Sequence, residues 1–311
     1  MIWKTAAVAV GEGLLVLILP LVLMSVINRM KARFAGRTGP PWLQPFYDVI
    51  KLLRKGSVYS RTTTWVFRAG PVISLAALAT AATMVPVVSN RCLLGFQGDV
   101  IVVVYLLALA RMFTMLAALD TGSSFEGMGA AREATFGMMA EPALFMSMLV
   151  LILSTGSLQL GTMVGAGLSA EWATVGSAMV LTSAALLIVL LTESCRIPVD
   201  DPNTHLELTM IHEVMVLDHS GPDLAFITYG AALKFTLLGS FLVHSIFPHP
   251  DWALHLLIPL RVCEFIALAL VVGVIESTMA RLRLVKIPQL LAGATVLSGL
   301  AVVLVLSRRG A

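Results

Sequence analysis

The sequence predicts an all-α fold: a polytopic membrane helix bundle with about eight transmembrane helices and a surface amphipathic helix after the first. Three observations carry that expectation. The mean hydropathy is +0.91, and only 13% of the 311 residues are Asp, Glu, Lys or Arg, against about 25% in a soluble chain. A chain so poor in charge cannot cover a globular surface with polar groups. Eight apolar stretches also reach the length that crosses a bilayer, about 20 residues. Finally, the connections between those stretches alternate, one long or charged, the next short and nearly uncharged.

The apolar stretches run over 6–27, 72–89, 100–118, 142–160, 174–192, 224–247, 254–275 and 288–306. The first follows Lys4 and is interrupted by Glu12. It is too long for the apolar region of a signal peptide, and no small-residue cleavage site follows, so it reads as a retained spanning helix. The charged connections, 28–71, 119–141, 193–223 and 277–287, hold fourteen Lys and Arg, and the opposite side holds four, Lys4, Arg91, Arg308 and Arg309. The positive-inside rule places the fourteen in the cytoplasm and both termini outside. Residues 1–311 read as one integral membrane domain without internal repeats.

Composition excludes several classes. A net charge of +3, with no basic tract interleaved with aromatics, excludes nucleic acid as a partner. Cys92, Cys195 and Cys263 stand alone, without a CxxC pair, so no metal site is expected of them. His205, Glu207 and His212 are too widely spaced for easy chelation on one helix, and no HExxH, nucleophile elbow, P-loop or GxGxxG is present. Neither a catalytic group nor a metal ligand is expected.

Three polar stretches remain on the cytoplasmic side. After "RTGPP", Trp42, Leu43, Phe46, Val49, Ile50, Leu52 and Leu53 recur at helical spacing, opposite Gln44, Asp48, Lys51 and Arg54. This is the amphipathic helix, with its basic groups meeting lipid. The second stretch, 119–142, carries Asp120, Glu126, Glu133, Glu141 and Arg132. Glu141 and Pro142 read as the first turn of a spanning helix, where the helix dipole by itself favours a carboxylate. In the third, Glu193 closes a spanning helix and "RIPVDDPNT" is an irregular loop. "HLELTMIHEVMVLDHSG" then reads as a short helix with His205 and His212 on one face and with Glu207, Glu213 and Asp218.

Six charges fall inside apolar stretches or directly at the end of one: Glu12, Arg111, Lys234, Arg261 and Glu264 inside, and Glu276 immediately after residue 275. Each costs about 2.5–3.5 kcal/mol if it faces lipid. Arg261 and Glu264, three apart, are placed to neutralise each other. Clustered buried carboxylates exchange protons near neutral pH. The residues therefore point to a proton or ion path, or to a polar cavity for an amphiphilic ligand.

At this point the motifs show a resemblance. The chain resembles the quinone-site membrane subunit of respiratory complex I, and more closely the equivalent subunit of group 4 membrane-bound [NiFe] hydrogenases of the formate hydrogenlyase and hydrogenase-4 types. "RTGPPWLQPFYDVIKLLRK" is similar to that family's RxGPxxxQxxxDxxKLL. "GAAREATFGMMAEP" is similar to GAxRExxxxxxxEP, and "ESCRIPVDDPNTHLEL" to ExxRxPxDxPxxxxEL. "DHSG" stands where the family has EYSG, and "IESTMARLRL" is similar to the hydrogenase branch.

The resemblance implies a cofactor-free subunit in a prokaryotic inner membrane. It would dock a soluble arm of iron–sulfur and hydrogenase-like large and small subunits, with iron–sulfur clusters and a nickel–iron site in those partners. Antiporter-like subunits would lie beside it in the membrane. Arg37, Gln44, Asp48, Lys51, Arg132 and Arg196 would serve the cavity and the docking of the arm. Glu126, Glu133, Glu141, Glu193, Asp200, Glu207, Glu213 and Asp218 would belong to a carboxylate path that couples electron transfer to ion movement. Asn203 and His205 stand where complex I has two further carboxylates, which fits the hydrogenase-like branch. The alternatives are a quinone-cavity subunit of a complex I-like oxidoreductase and a stand-alone ion transporter.

Overall fold

The computed structural model describes residues 2–200, 210–250 and 252–309. All regular structure among them is helical. α1 spans Ile2–Phe34, α2 Gln44–Leu53, α3 Trp65–Met84, α4 Asp99–Asp120, α5 Ser124–Thr155 and α6 Leu160–Met163. They are followed by α7 Ala166–Glu193, α8 His212–Met215, α9 Gly221–Ile246, α10 Leu254–Thr278, a 3-10 turn at Leu284–Lys286, and α11 Ile287–Arg309. Eight of these helical stretches are long and apolar enough to cross a membrane, and the chain is a multi-pass membrane protein.

α9 is the central helix. It packs against α1, α2, α3, α7 and α10, and 67% of its apolar window is buried, against 33–50% in the other spans. α5 packs against α4, α7 and α11. The outward faces keep large apolar side chains exposed, among them Leu17, Tyr105, Val296 and Val303, as a lipid-facing surface requires.

Hydrogen bonds define the two ends. At one end, called the loop end below, the Asp120 carboxylate closes the start of α3, accepting from the Thr64 amide at 2.7 Å, the Thr64 hydroxyl at 2.7 Å and the Phe67 amide at 3.2 Å. The amide of Leu282 reaches the Pro198 carbonyl at 2.9 Å. Gly221, with φ +57°, opens α9 against the Lys55–Gly56 backbone. A Cβ there would lie 2.7 Å from the Gly56 carbonyl oxygen, so only glycine permits both the angle and the approach. At the far end the Leu160 amide bonds to Asp99 at 2.8 Å and the Trp172 indole to the Ser245 carbonyl at 3.1 Å.

α2 carries no buried residue and lies on the surface after α1, as expected. It is tied to α1 through the preceding turn: the Ser25 hydroxyl donates to the Trp42 carbonyl at 2.6 Å, and the Arg29 guanidinium lies 4.2 Å over the Trp42 ring.

Two local expectations are corrected. The stretch 124–141 is not a loop: α5 runs unbroken from Ser124 through Pro142, and Glu141 sits within it rather than at its start. Its buried stripe, Glu126, Gly129, Ala130, Glu133, Phe136, Gly137 and Ala140, has helical spacing but, Phe136 apart, is built of small residues and carboxylates, so hydropathy does not reveal it. The short helix expected across 205–221 is reduced to the single turn of α8 among the described residues. His205 and Glu207 lie outside the described residues.

Candidate functional site

α7 ends early, inside the bundle. Past Glu193 the backbone turns at Cys195 with φ 49°, and Cys195, Ile197, Val199 and Asp200 are all buried. Irregular backbone is tolerated at such a place only where protein encloses it. The carboxylate that ends α7 is thereby brought level with the middle of its neighbours. Arg111 lies nine residues from the end of α4, about 14 Å along it, and Lys234 lies thirteen residues into α9, about 20 Å.

There the charges converge. Glu193 accepts from Arg111 Nη1 at 2.6 Å and from Lys234 Nζ at 2.6 Å. The other end of the Arg111 guanidinium pairs with Glu141 of α5. Glu133, one helical stripe above Glu141, is buried and interacts electrostatically with Lys234 and Arg111. The Cys195 thiol lies 3.8 Å from Glu133 Oε2. Three carboxylates thus face two cations contributed by α4 and α9. With every group ionised, one negative charge is uncompensated, and a single proton removes it.

Gly137 makes the arrangement sterically possible. A Cβ on it would lie 2.3 Å from Arg111 Nη1; any other residue would displace the guanidinium. A small cavity of about 50 Å³ adjoins the cluster, lined by Arg111, Glu133, Glu193 and Lys234 and by apolar Leu78 and Ile227. His212 of α8 faces the same cavity. Burial, and after it the Lys234 ammonium, hold its imidazole below the ordinary value, while burial followed by the Glu133 and Asp200 charges pushes the Cys195 thiol well above its own.

The remaining expected residues are distributed around this centre. Asp200 bonds Arg281 at 2.8 Å and accepts the amides of Ile211 and His212 at 3.0 and 3.1 Å, so it fixes α8 over the cavity. Arg196 pairs with buried Glu276 at 3.1 Å, and Lys31 pairs with the same carboxylate at 2.9 Å. Arg132 donates to the Met210 carbonyl at 2.9 Å. Glu126 is buried and accepts the amide of exposed Asp218 at 3.2 Å. Glu213 is half-buried on α8. On the surface, Gln44 donates to Asp48 at 2.8 Å, and Arg37 and Lys51 are exposed.

Glu133, Glu141 and Glu193 are therefore brought together, Asp200 and Arg196 brace the surrounding loop, and Arg37, Gln44, Asp48 and Lys51 lie apart at the rim. The sequence marks Arg111 and Lys234 as intramembrane charges without joining them to Glu193; two lone cations in apolar runs are the available signal. Gly137 carries none. Among the described residues, no group of three His, Cys, Asp or Glu is placed to hold a metal ion.

These features define a class: a polytopic membrane protein with a cluster of ion pairs in its interior and a polar rim at one end. The chain belongs to the NADH dehydrogenase family, which it matches over residues 7–307. It is 32% identical over 276 residues to formate hydrogenlyase subunit 4 of Escherichia coli (strain K12), covering 86% of this chain and 88% of that one. It is 30% identical over 288 residues to hydrogenase-4 component C of the same strain, covering 90% and 89%. Among solved structures, the fold is similar to a chain of the membrane-bound sulfane sulfur reductase (MBS), an archaeal respiratory membrane complex. There the TM-score is 0.81 at 19% identity, over 96% of this chain and 98% of that one.

Proposed function

We propose that the chain is the membrane anchor and proton-coupling subunit of a hydrogenase-like oxidoreductase complex of formate hydrogenlyase or hydrogenase-4 type. The supporting observation is the central cluster. Glu133, Glu141 and Glu193 share Arg111 and Lys234, so gain or loss of one proton changes which ion pairs close. A redox event at the loop end can then be converted into charge movement inside the bundle. Relatives named as a subunit and a component favour assembly over stand-alone transport.

In this arrangement the loop end is cytoplasmic and both termini lie on the outer side of an inner membrane. Exposed Arg37, Asp48 and Lys51 and partly exposed Gln44, with Arg132 and Arg196 behind them, form the floor on which an iron–sulfur arm rests. Redox groups, a nickel–iron site included, belong to the hydrogenase-like subunits of that arm, and antiporter-like membrane subunits pack alongside. Glu126, Asp200, Glu213 and Asp218 surround the entry to the cluster. Glu207 joins the path on its motif position.

The test is made on the assembled complex. With Glu193→Gln or Glu141→Gln, electron turnover should persist while ions moved per electron fall several-fold. Normal translocation in both variants would remove the coupling role. A second reading is favoured by the lining of the cavity: apolar Leu78 and Ile227 beside Arg111 and Lys234 suit a quinone head. Inhibition by quinone-site ligands, relieved by substituting Ile227 or Leu78, would support a quinone-cavity subunit instead.

A further inference from the structure

At the far end of the bundle, one buried cluster leaves its hydrogen bonds open. Arg261 of α10 is 0% exposed. Its Nη1 donates to Glu264 Oε2 at 2.9 Å and to the Phe247 carbonyl at 2.8 Å. Its Nε and Nη2 have no partner. Across from it on α9, His244 is also 0% exposed. Its Nδ1 lies 2.8 Å from the Ser240 carbonyl, a contact that requires Nδ1 to be the donor. Nε2 is then an acceptor, and it too is without a partner. The Phe247 carbonyl that Arg261 reaches lies three residues beyond His244 at the end of the same helix, so the two side chains meet at one level of the α9–α10 interface.

The ion pair alone does not explain this arrangement. Neutralising Glu264 needs one edge of the guanidinium, and that edge is used. The other two donors remain in an interior where an unpaired group costs about 1–3 kcal/mol, and more when charged. Two orphan donors and one orphan acceptor at the same end of the bundle, without a direct bond between them, are complementary to water, which donates and accepts at once. Interior polar groups of this kind are ordinarily met by ordered water with two to four polar partners.

We propose that Arg261 Nε and Nη2 together with His244 Nε2 enclose an internal water site of one or two molecules. The water completes a polar chain. His249 is partly exposed in the α9–α10 connection and contacts Glu264 Oε1 at 2.5 Å. Glu264 holds Arg261, the water joins Arg261 to His244, and the Ser240 hydroxyl lies 3.3 Å from His244 Nδ1. Asn90 fixes the outer end of this chain by donating to the His249 carbonyl at 3.2 Å. The far end of the bundle is thus hydrated inside, apart from the central cluster. This concerns the resting protein and holds whether or not the coupling role proposed above is correct.

X-ray radiolytic footprinting of the chain in its native complex tests it. Hydroxyl radicals born at a held water oxidise adjacent side chains that bulk solvent never reaches. His244 should be oxidised at a rate comparable with that of partly exposed His249. Arg261→Lys keeps a cation for Glu264 but removes Nε and Nη2; it should lower His244 oxidation several-fold and leave His249 unchanged. Silence at His244 in the wild-type complex, with His249 labelled, overturns the site without recourse to any variant. Undiminished His244 labelling in Arg261→Lys removes Arg261 from it.

Discussion

In the central cluster, Arg111, Glu141, Glu193 and Lys234 come from four helices. At the far end, Arg261 and Glu264 come from one turn of one helix. The local pair forms wherever α10 forms and survives small shifts of its neighbours. The central cluster exists only when α4, α5, α7 and α9 are in register, and a movement of any of them alters which carboxylate each cation serves. Charge that must respond to events elsewhere is held between helices, whereas charge that need only be neutral is held along one.

Breaking one partner tests this contrast with the largest effect. Lys234→Met or Glu264→Leu each strands a buried charge and should cost about 3–5 kcal/mol, read as thermal stability of the purified complex. The double replacements should then diverge. Arg261→Met with Glu264→Leu should recover most of the loss, because removing both members of a pair confined to one helical turn leaves neither charge stranded. Lys234→Met with Glu193→Gln should not, since Arg111, Glu133 and Glu141 remain mismatched. Equal recovery at both places would abolish the distinction.

Acid sensitivity sharpens it next. His219, at the loop end, stacks on Phe67 at 4.0 Å, and burial pushes its imidazole down to about 4. The fold holds the neutral form. Its contribution is complete above the unfolded value near 6.5 and is lost as pH falls from there towards 4, by about 3 kcal/mol in all. His219→Phe keeps the stack and should flatten stability across that window. An unaltered acid limb would move the weak point to the ion clusters.

Gly137→Ala should cost about 1–3 kcal/mol by crowding Arg111 and should reduce ion movement per electron more than turnover. Gly293→Ala on α11, where an added Cβ meets nothing, should instead be neutral or stabilise by about 0.5–1 kcal/mol. Asp120→Asn should weaken the α3 cap by about 1 kcal/mol, seen as a modest loss of stability without a change in coupling.

Hydropathy and charge alternation suffice to read eight spans and a surface helix, because a bilayer imposes length and polarity on each segment separately. The motifs place Glu133, Glu141, Glu193, Asp200, Arg132 and Arg196 near one another for the same local reason: each sits in a polar island of an apolar chain. The start of α5 escapes sequence reading because its inward stripe is glycine, alanine and glutamate, which no hydropathy scan distinguishes from a loop. In the sequence Asp120 is one carboxylate of a polar stretch. In the fold it is a helix cap, and its partners, Thr64 and Phe67, are more than fifty residues away along the chain.

By itself, then, the sequence determined the fold class, the spans and the set of charges withheld from lipid, for these depend on each residue's own transfer energy. Only the tertiary structure decided that Arg111 and Lys234 serve Glu193, that Glu276 is shared by Lys31 and Arg196, and that Gly137 is the gap through which a guanidinium passes. Ion pairing acts over a few ångströms between helices far apart in the chain, and no periodicity within one segment records who its neighbour will be.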